Sequence, residues 1–394
     1  MPVGALEGIT VVECCTFVTG PYATAVLADL GARVIKIEAP PDGDPYRYFA
    51  PDPFFSPHFA HLNRGKRSLA LDLKSPQGKE ICLKLVKQAD VFVENFRPGV
   101  AERLGLGYES LRALNQKLIY CSISAFGQSG PYANNPGFDT LGQAMSGLLS
   151  VLTDMDKPKL MGIALSDYVT GLSAGYGILG ALFARQKTQQ GCRVETSLLR
   201  STLAFIGEAA AAYLRTGETP DRAARVKNAH AFAFAAKDGL PLVIHCSVPE
   251  KFWIALLKTV DRLDLAEDSR FKTRDERREN FAALEAELVP AFARRTRQEW
   301  LKLLAKNDVP AGPLYDMAGV LADPQVRHEG LIEEVEHPKA GKLRLVASGV
   351  RYEGLAYTAA KAPPLVGEQS AQILAELGYR AEQMRMLRQQ GVVG

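Results

Sequence analysis

The feature that most narrows the fold is a strand–helix–strand succession near the N-terminal end. Residues 9–14 contain a short β-branched run, Ile9, Val11 and Val12, which predicts a buried strand. The turn Thr19-Gly20-Pro21 follows, and residues 22–30 carry apolar side chains at helical spacing up to Gly31. Arg33-Val34-Ile35-Lys36-Ile37 predicts a second strand. Strand, helix and strand in this order make a βαβ unit, so the sheet is expected to be parallel. The pattern recurs. Residues 69–73 predict a strand, and Ser75-Pro76 reads as a helix cap followed by proline at the first helical position. Ile81, Cys82, Leu85 and Val86 mark one buried helix face, and residues 91–93 and 118–123 predict further strands. About the first 200 residues thus predict a doubly wound α/β domain. No GxGxxG follows the first strand, where residues 16–21 offer only Gly20, so a nicotinamide or flavin oxidoreductase is disfavoured.

Further along, charge together with Gly217 and Pro220 suggests a linker over residues 215–225. Residues 226–329 are helix-rich with charged faces, and Asp308-Val309-Pro310-Ala311-Gly312-Pro313 reads as a rigid loop. Strands are expected again at 343–345 and 350–352, and an amphipathic helix at 370–377. The balance of 47 Lys+Arg against 44 Asp+Glu carries no signature of a nucleic-acid binder. Neither a signal peptide nor an apolar run of about 18–20 residues is seen, so a soluble, cytoplasmic chain is expected, with no membrane partner. The six cysteines (Cys14, Cys15, Cys82, Cys121, Cys192, Cys246) have no regular spacing and read as buried thiols. His58 and His61 could share a helical face, but two such residues make no metal site without a third ligand, so none is expected.

One carboxylate stands out. Ala164-Leu165-Ser166-Asp167 opens a Gly- and Ala-rich segment reaching Phe183, which places Asp167 at the start of a tightly packed helix. A carboxylate there is either a helix cap or a nucleophile, and the local residues alone favour the cap.

The chain as a whole resembles the family III CoA-transferases. The resemblance rests on Asp29-Leu30-Gly31-Ala32-Arg33-Val34-Ile35-Lys36-Ile37-Glu38, on Asn63-Arg64-Gly65-Lys66-Arg67-Ser68-Leu69-Ala70-Leu71-Asp72-Leu73-Lys74-Ser75-Pro76, and on Val93-Glu94-Asn95-Phe96-Arg97-Pro98-Gly99. Phe126-Gly127-Gln128-Ser129-Gly130-Pro131, Ala144-Met145-Ser146-Gly147, Asp167 and Pro363-Pro364-Leu365-Val366-Gly367 continue it in order. It implies a large Rossmann-like α/β domain built from residues 1–222 and 330–394, a smaller inserted α+β domain over 223–329, and an interlocked homodimer. It also implies an enzyme whose substrates are acyl-CoA and free carboxylic acids, with no permanently bound cofactor.

The same resemblance makes Asp167 the nucleophile. Lys74, Asn95, Phe96, Arg97 and Arg103 match positions that contact CoA, and Leu71, Asp72 and Leu73 would offer backbone contacts. Val18 and Thr19 fall in the first loop, and Phe138 and Asp139 belong to the acyl-CoA site, Phe138 as an acyl-pocket or core residue and Asp139 as a hydrogen-bonding neighbour of the nucleophile. The chain departs from the formyl-CoA:oxalate branch at Val18, where that branch has Gln, and at Ala39, where it has Arg. The glycine-free His230-Ala231-Phe232-Ala233-Phe234-Ala235-Ala236 replaces that branch's tetraglycine loop, which argues against formate and oxalate. Phe271-Lys272-Thr273, Pro310-Ala311-Gly312-Pro313 and Asp323-Pro324-Gln325-Val326 resemble the branch pairing succinyl-CoA with dicarboxylic acids. Itaconate, mesaconate, malate, citramalate and glutarate are the candidates, with Arg47 or His230 to hold the distal carboxylate. The main rival, a 2-methylacyl-CoA racemase, needs acid–base groups on both faces of the α-carbon. The His it uses is here Phe138, which cannot move a proton. A CoA-binding protein without catalysis would not need Asp167.

Overall fold

The computed structural model describes residues 4–160, 162–247, 249–356 and 361–394. The described residues divide into two units. One draws on Met1–Leu149, Pro158–Ala211 and Gly330–Gly394, the other on Ser150–Lys157 and Ala212–Glu329.

The larger unit is built on six parallel strands: β1 Thr10–Cys14, β2 Arg33–Glu38, β3 Arg67–Ala70, β4 Val91–Glu94, β5 Ile119–Ser124 and β6 Arg193–Ser197. Their order, β3-β2-β1-β4-β5-β6, is that of the doubly wound dinucleotide-binding fold. The chain winds from β1 one way through β2 and β3, then crosses back to β4. The switch point, where ligands of such sheets bind, therefore lies between β1 and β4. The helices α1 Thr19–Asp29, α2 Pro57–Asn63, α3 Pro76–Gln88, α4 Val100–Leu104, α5 Tyr108–Leu114, α6 Asp139–Met145, α7 Leu165–Thr188 and α8 Leu198–Phe205 connect and flank the strands.

Alternate residues of each strand face opposite sides of the sheet. Val12, Ile35, Phe92 and Tyr120 join Ile81, Cys82, Leu85 and Val86 of α3, the face predicted from sequence. Val11, Val34, Val91 and Ile119 join Ala23 and Leu27 of α1 and the small-residue stripe of α7. Ser75 caps α3 as expected, its hydroxyl accepting from Gly78 N with Pro76 at the first position. The C-terminal end is stitched onto β3: Gly394 N donates to Ala70 O, Asp72 N to Val392 O and Gln369 N to Ser68 O.

Several expectations are corrected. Thr19-Gly20-Pro21 is not a turn but the first turn of α1. Proline is tolerated there because first-turn N–H groups have no intrahelical acceptor. The strand expected at 69–73 ends at Ala70, so Lys74 lies in the turn before α3 rather than at a strand end. Residues 350–352 are irregular, whereas β10 Ile332–His337 and β11 Gly341–Val346 form an antiparallel hairpin. Cys192 is exposed; the other five thiols are buried and all six are free.

The smaller unit carries an antiparallel sheet of β7 Ala231–Ala235, β8 Pro241–His245 and β9 Ala311–Pro313, the last falling in the expected rigid loop. Phe232 and Phe234 turn inward by strand alternation, and Phe234 stacks on Phe292 with ring centres 4.3 Å apart.

The sheet encloses charge. Glu13 and Lys36 are register partners on β1 and β2, and both side chains are fully buried. Lys36 Nζ lies 2.9 Å from both Glu13 and Asp44, and Lys66 Nζ 2.8 Å from the other Glu13 oxygen. Burial alone would raise the Glu13 carboxyl, but Lys36 and Lys66 hold it at about 2. Removing one partner of a buried ion cluster strands the others. Glu13→Gln is therefore expected to cost about 3–5 kcal/mol of unfolding free energy at pH 7, measured by urea titration. Since the folded carboxyl sits below its usual 4.5, the wild-type advantage is complete above that pH and fades as pH falls toward about 2.

Candidate active site

Two pockets adjoin at the carboxyl ends of β1 and β4, with Thr16 and Phe96 lining both. The first, of about 240 Å³, holds Asp167, Thr19, Asn95, Arg97, Phe17 and Phe138. The second, of about 310 Å³, is mostly apolar and is lined by Leu71, Asp72, Leu73, Lys74, Ala39 and Leu104 among others.

Asp167 is the third residue of α7, whose N-cap is Ala164. Its carboxylate does not cap that helix. Oδ1 instead accepts from the Thr19 hydroxyl of α1. Its backbone N–H donates to Asp139 Oδ1 at 3.0 Å, while Asp139 Oδ2 accepts from Gln143 at 2.5 Å. The expectation that Asp139 hydrogen-bonds beside Asp167 is thus met through the main chain. Close packing brings α1 and α7 together. A Cβ on Gly171 would stand 2.8 Å from Thr19 O, and one on Gly20 would collide with Cys15. Burial raises the Asp167 carboxyl to about 6; the Thr19 hydroxyl opposes this and Asp139 adds to it.

The loop leading into α1 is fixed from several sides. Lys36 Nζ donates to Cys15 O at 2.8 Å and Lys66 Nζ to Pro21 O at 2.8 Å. Asn95 clasps Thr16, accepting from its N–H at 3.0 Å and donating to its carbonyl at 2.8 Å. Phe17 adopts a left-handed φ of 62°, rare for a bulky residue, and its N–H donates to Asp44 Oδ1 at 3.1 Å. Its ring packs edge-on against Phe138 and near Tyr46, which makes an aromatic wall to the Asp167 pocket.

Behind the second strand end, Glu94 is buried. Its oxygens accept from Phe96 N at 2.8 Å and Ser122 Oγ at 2.5 Å. Burial pushes this carboxyl up to about 7, against the Ser122 and Phe96 hydrogen bonds.

The structure sorts the residues singled out from sequence. Asp167, Thr19, Asn95, Phe96, Arg97 and Phe138 meet around the first pocket; Leu71, Asp72, Leu73 and Lys74 line the second. Phe138 is 63% exposed, so it is a wall residue and not part of the core. Arg97 stands with the carboxylate and not among the second pocket's lining. Val18 lines neither pocket: as N-cap of α1 its side chain is buried with Tyr46 and Leu62. Arg103, exposed on α4, is also outside both linings. Arg47 is not available to a substrate. At 2% exposure it forks onto Glu38 at 2.8 and 2.6 Å, donates to Pro364 O and covers the Phe59 ring. His230 belongs to the smaller unit, buried at the left-handed end of the helix Ala224–Ala229, and burial lowers its imidazole to about 4. His58 and His61 do share α2, but they pack against aromatic rings, His58 on Tyr46 and Phe49, His61 on Tyr22. Among the described residues no group of three or more His, Cys, Asp or Glu is placed to hold a metal. Sequence reading missed Phe17, Asp44, Lys36 and Lys66; the signal for Lys36 was a charge set between β-branched residues of a buried strand, and the other three carried none.

Comparison with known proteins agrees with this geometry. The model of CoA-transferase family III matches residues 6–370. Human succinyl-CoA:glutarate CoA-transferase is 36% identical over 381 residues, covering 94% of this chain and 86% of that protein. Acetyl-CoA:oxalate CoA-transferase of Acetobacter aceti is 38% identical over 363 residues, covering 90% of each. The crystal structure of a CaiB/BaiF family protein from Brucella suis superposes with a TM-score of 0.85 at 34% identity, covering 96% of this chain and all of that one. A parallel sheet with its pockets at the switch point, and a family match over nearly the whole length, lead to one assignment: the chain is a member of CoA-transferase family III and a CoA-transferase.

Proposed function

We propose that this enzyme moves CoA from succinyl-CoA to a short dicarboxylic acid, with Asp167 as the covalent nucleophile. The observation that carries the reading is a half-buried carboxylate in a pocket of about 240 Å³, next to an apolar pocket bearing Lys74. The first pocket is the size of a short acid, and the second offers apolar walls and a cation to a nucleotide-bearing arm. Glutarate and oxalate stand in the names of two relatives, both dicarboxylic acids. Itaconate, mesaconate, malate and citramalate are further candidates of the same length class, and Arg97, sharing the pocket with Asp167, is the cation available for a second carboxylate.

In this mechanism an Asp167 carboxylate oxygen attacks the acyl-CoA carbonyl. The C–S bond breaks, giving a mixed anhydride and CoA thiolate. The thiolate attacks the Asp167 carbonyl, releasing the donor acid and leaving an aspartyl-CoA thioester. The acceptor carboxylate attacks that thioester, and returning thiolate attacks the acceptor's acyl carbon, freeing Asp167. Splitting the exchange into such steps is the gain from covalent catalysis. One thioester replaces another, so the chemistry calls for no ATP and no resident cofactor. The first-turn N–H groups of α1, which have no intrahelical acceptors, are suited to the tetrahedral oxyanions. A racemase is the weaker reading, because Phe138 faces the carboxylate where a second acid–base group would be needed.

A homodimer fits the larger unit's surface. Leu172, Tyr176 and Phe183 of α7 and Leu203 and Phe205 of α8 are exposed, Tyr176 to 70%. An apolar face of this kind is suited to a second copy of the chain. Among the described residues no helix is long and apolar enough to cross a membrane.

Incubating the purified enzyme with succinyl-CoA and a pool of dicarboxylic acids should produce new acyl-CoAs visible by mass spectrometry. Asp167→Asn should lower that exchange by at least about 10³-fold while CoA still binds, and lose the hydroxylamine-trappable aspartyl adduct. Exchange that survives the substitution would sink the nucleophile. Because Asp167 must be ionised to attack, kcat/KM should rise with pH through about 6 and level above it. The raised carboxyl also costs stability. Asp167→Asn should melt higher than wild type above pH 6, and the difference should shrink as pH falls through about 6 and vanish below 3.8. Light scattering should give twice the 42.9 kDa chain mass.

A further inference from the structure

The Thr19 hydroxyl has a choice of partners. As the first residue of α1 it is not the helix cap, which is Val18, so its Oγ1 is free of capping duty. It donates instead to Asp167 Oδ1, across to a helix 148 positions away in sequence. The backbone around it is made to hold that contact. Lys66, itself paired with Glu13, grips Pro21 O; Lys36 grips Cys15 O; the absent side chain of Gly171 lets α7 approach Thr19 O. The start of α7 favours the charged carboxylate in general, and of the side chains near Asp167 only Thr19 is seen to do so. Asp139 adds negative charge from α6; Tyr46 and Tyr168 are aromatic hydroxyls raised in turn; Arg97 lines the same pocket but forms none of the described contacts with the carboxylate.

We propose that Thr19 is the positioning residue of the nucleophile: its hydroxyl fixes Oδ1 and leaves Oδ2 to attack. This rests on the transferase reading for its purpose but not for its physics. A hydrogen bond to the charged form of a buried carboxyl favours that form. It opposes the desolvation that disfavours the charged form. A purely structural contact between α1 and α7 would predict lost stability on removing the hydroxyl, with no change in the carboxyl's titration.

The test follows the Asp167 carboxyl by ¹³C NMR in full-length protein labelled with ¹³C-aspartate, its resonance identified by its loss in Asp167→Asn. Wild type, Thr19→Ser, Thr19→Val and Thr19→Ala are titrated, and kcat/KM is measured over the same pH range. Thr19→Val and Thr19→Ala should shift the midpoint up by about one unit or more, with Thr19→Ser close to wild type. The same two variants should lose about tenfold more kcat/KM at low pH than on the alkaline plateau. Glu94→Gln in each background removes the other carboxyl that titrates near neutrality. If Thr19→Ala does not fold, the isosteric Thr19→Val carries the comparison. Unchanged midpoints in the folded variants, or a Thr19→Ser shift as large as that of Thr19→Val, would overturn the proposal. Shifted midpoints in a protein that exchanges no CoA would uphold the Thr19 contact and overturn the transferase reading alone.

Discussion

A buried ion chain, Asp44–Lys36–Glu13–Lys66, holds together most of what matters in the larger unit. Charges in a sheet interior are costly unless every one is paired and hydrogen-bonded. Here the leftover valences of the lysines are spent on backbone: Lys36 on Cys15 O and Lys66 on Pro21 O. Asp44 takes the N–H of Phe17 and, with Tyr46, the start of the short helical turn. Three buried side chains thus determine the path of one loop, including the left-handed Phe17, whose strain of order 1–3 kcal/mol needs such support.

That loop delivers Thr19 to Asp167. Asp167 sits on α7, the hydroxyl on α1, and Asp139 on α6 holds the Asp167 main chain. Helices carry each contact, so the carboxylate is held from regular elements on three sides. The electrostatics are balanced and not maximal. Burial raises the carboxyl to about 6, and the Thr19 hydroxyl opposes that rise. Asn95 adds the clasp between the ends of β1 and β4, so the side chain expected to touch CoA also ties the switch point shut around Thr16.

Much of this was legible before any coordinates. The βαβ rhythm predicted a parallel, doubly wound sheet, and the capped start of α3 and its buried face lie where the spacing put them. Asp167 is conspicuous because it is the one carboxylate of a long helix rich in glycine and alanine. The errors have physical causes. Thr19-Gly20-Pro21 reads as a turn because the same residue types serve a helix's first turn, where proline's missing N–H costs nothing. Arg47 reads as a solvent-facing cation until Glu38 and Phe59 are seen to enclose it. Val18, placed by resemblance at the ligand, turns inward because the helix it caps points its side chain at Tyr46 and Leu62.

The sequence by itself determined the class of sheet, the separate helix-rich segment and the family, and it singled out Asp167 at the start of a long helix. Each is encoded locally, in periodicity, in caps and in ordered motifs. Only the tertiary structure decided that Glu13, Lys36, Asp44 and Lys66 form one ion chain, that Thr19 meets Asp167, and that Arg97 shares the Asp167 pocket. These pairings join residues far apart in the chain. Hydrogen bonds and ion pairs depend on distances of a few ångströms that periodicity cannot convey: the register of β1 on β2 sets Glu13 beside Lys36, and the packing of α1 against α7 brings Thr19 to Asp167.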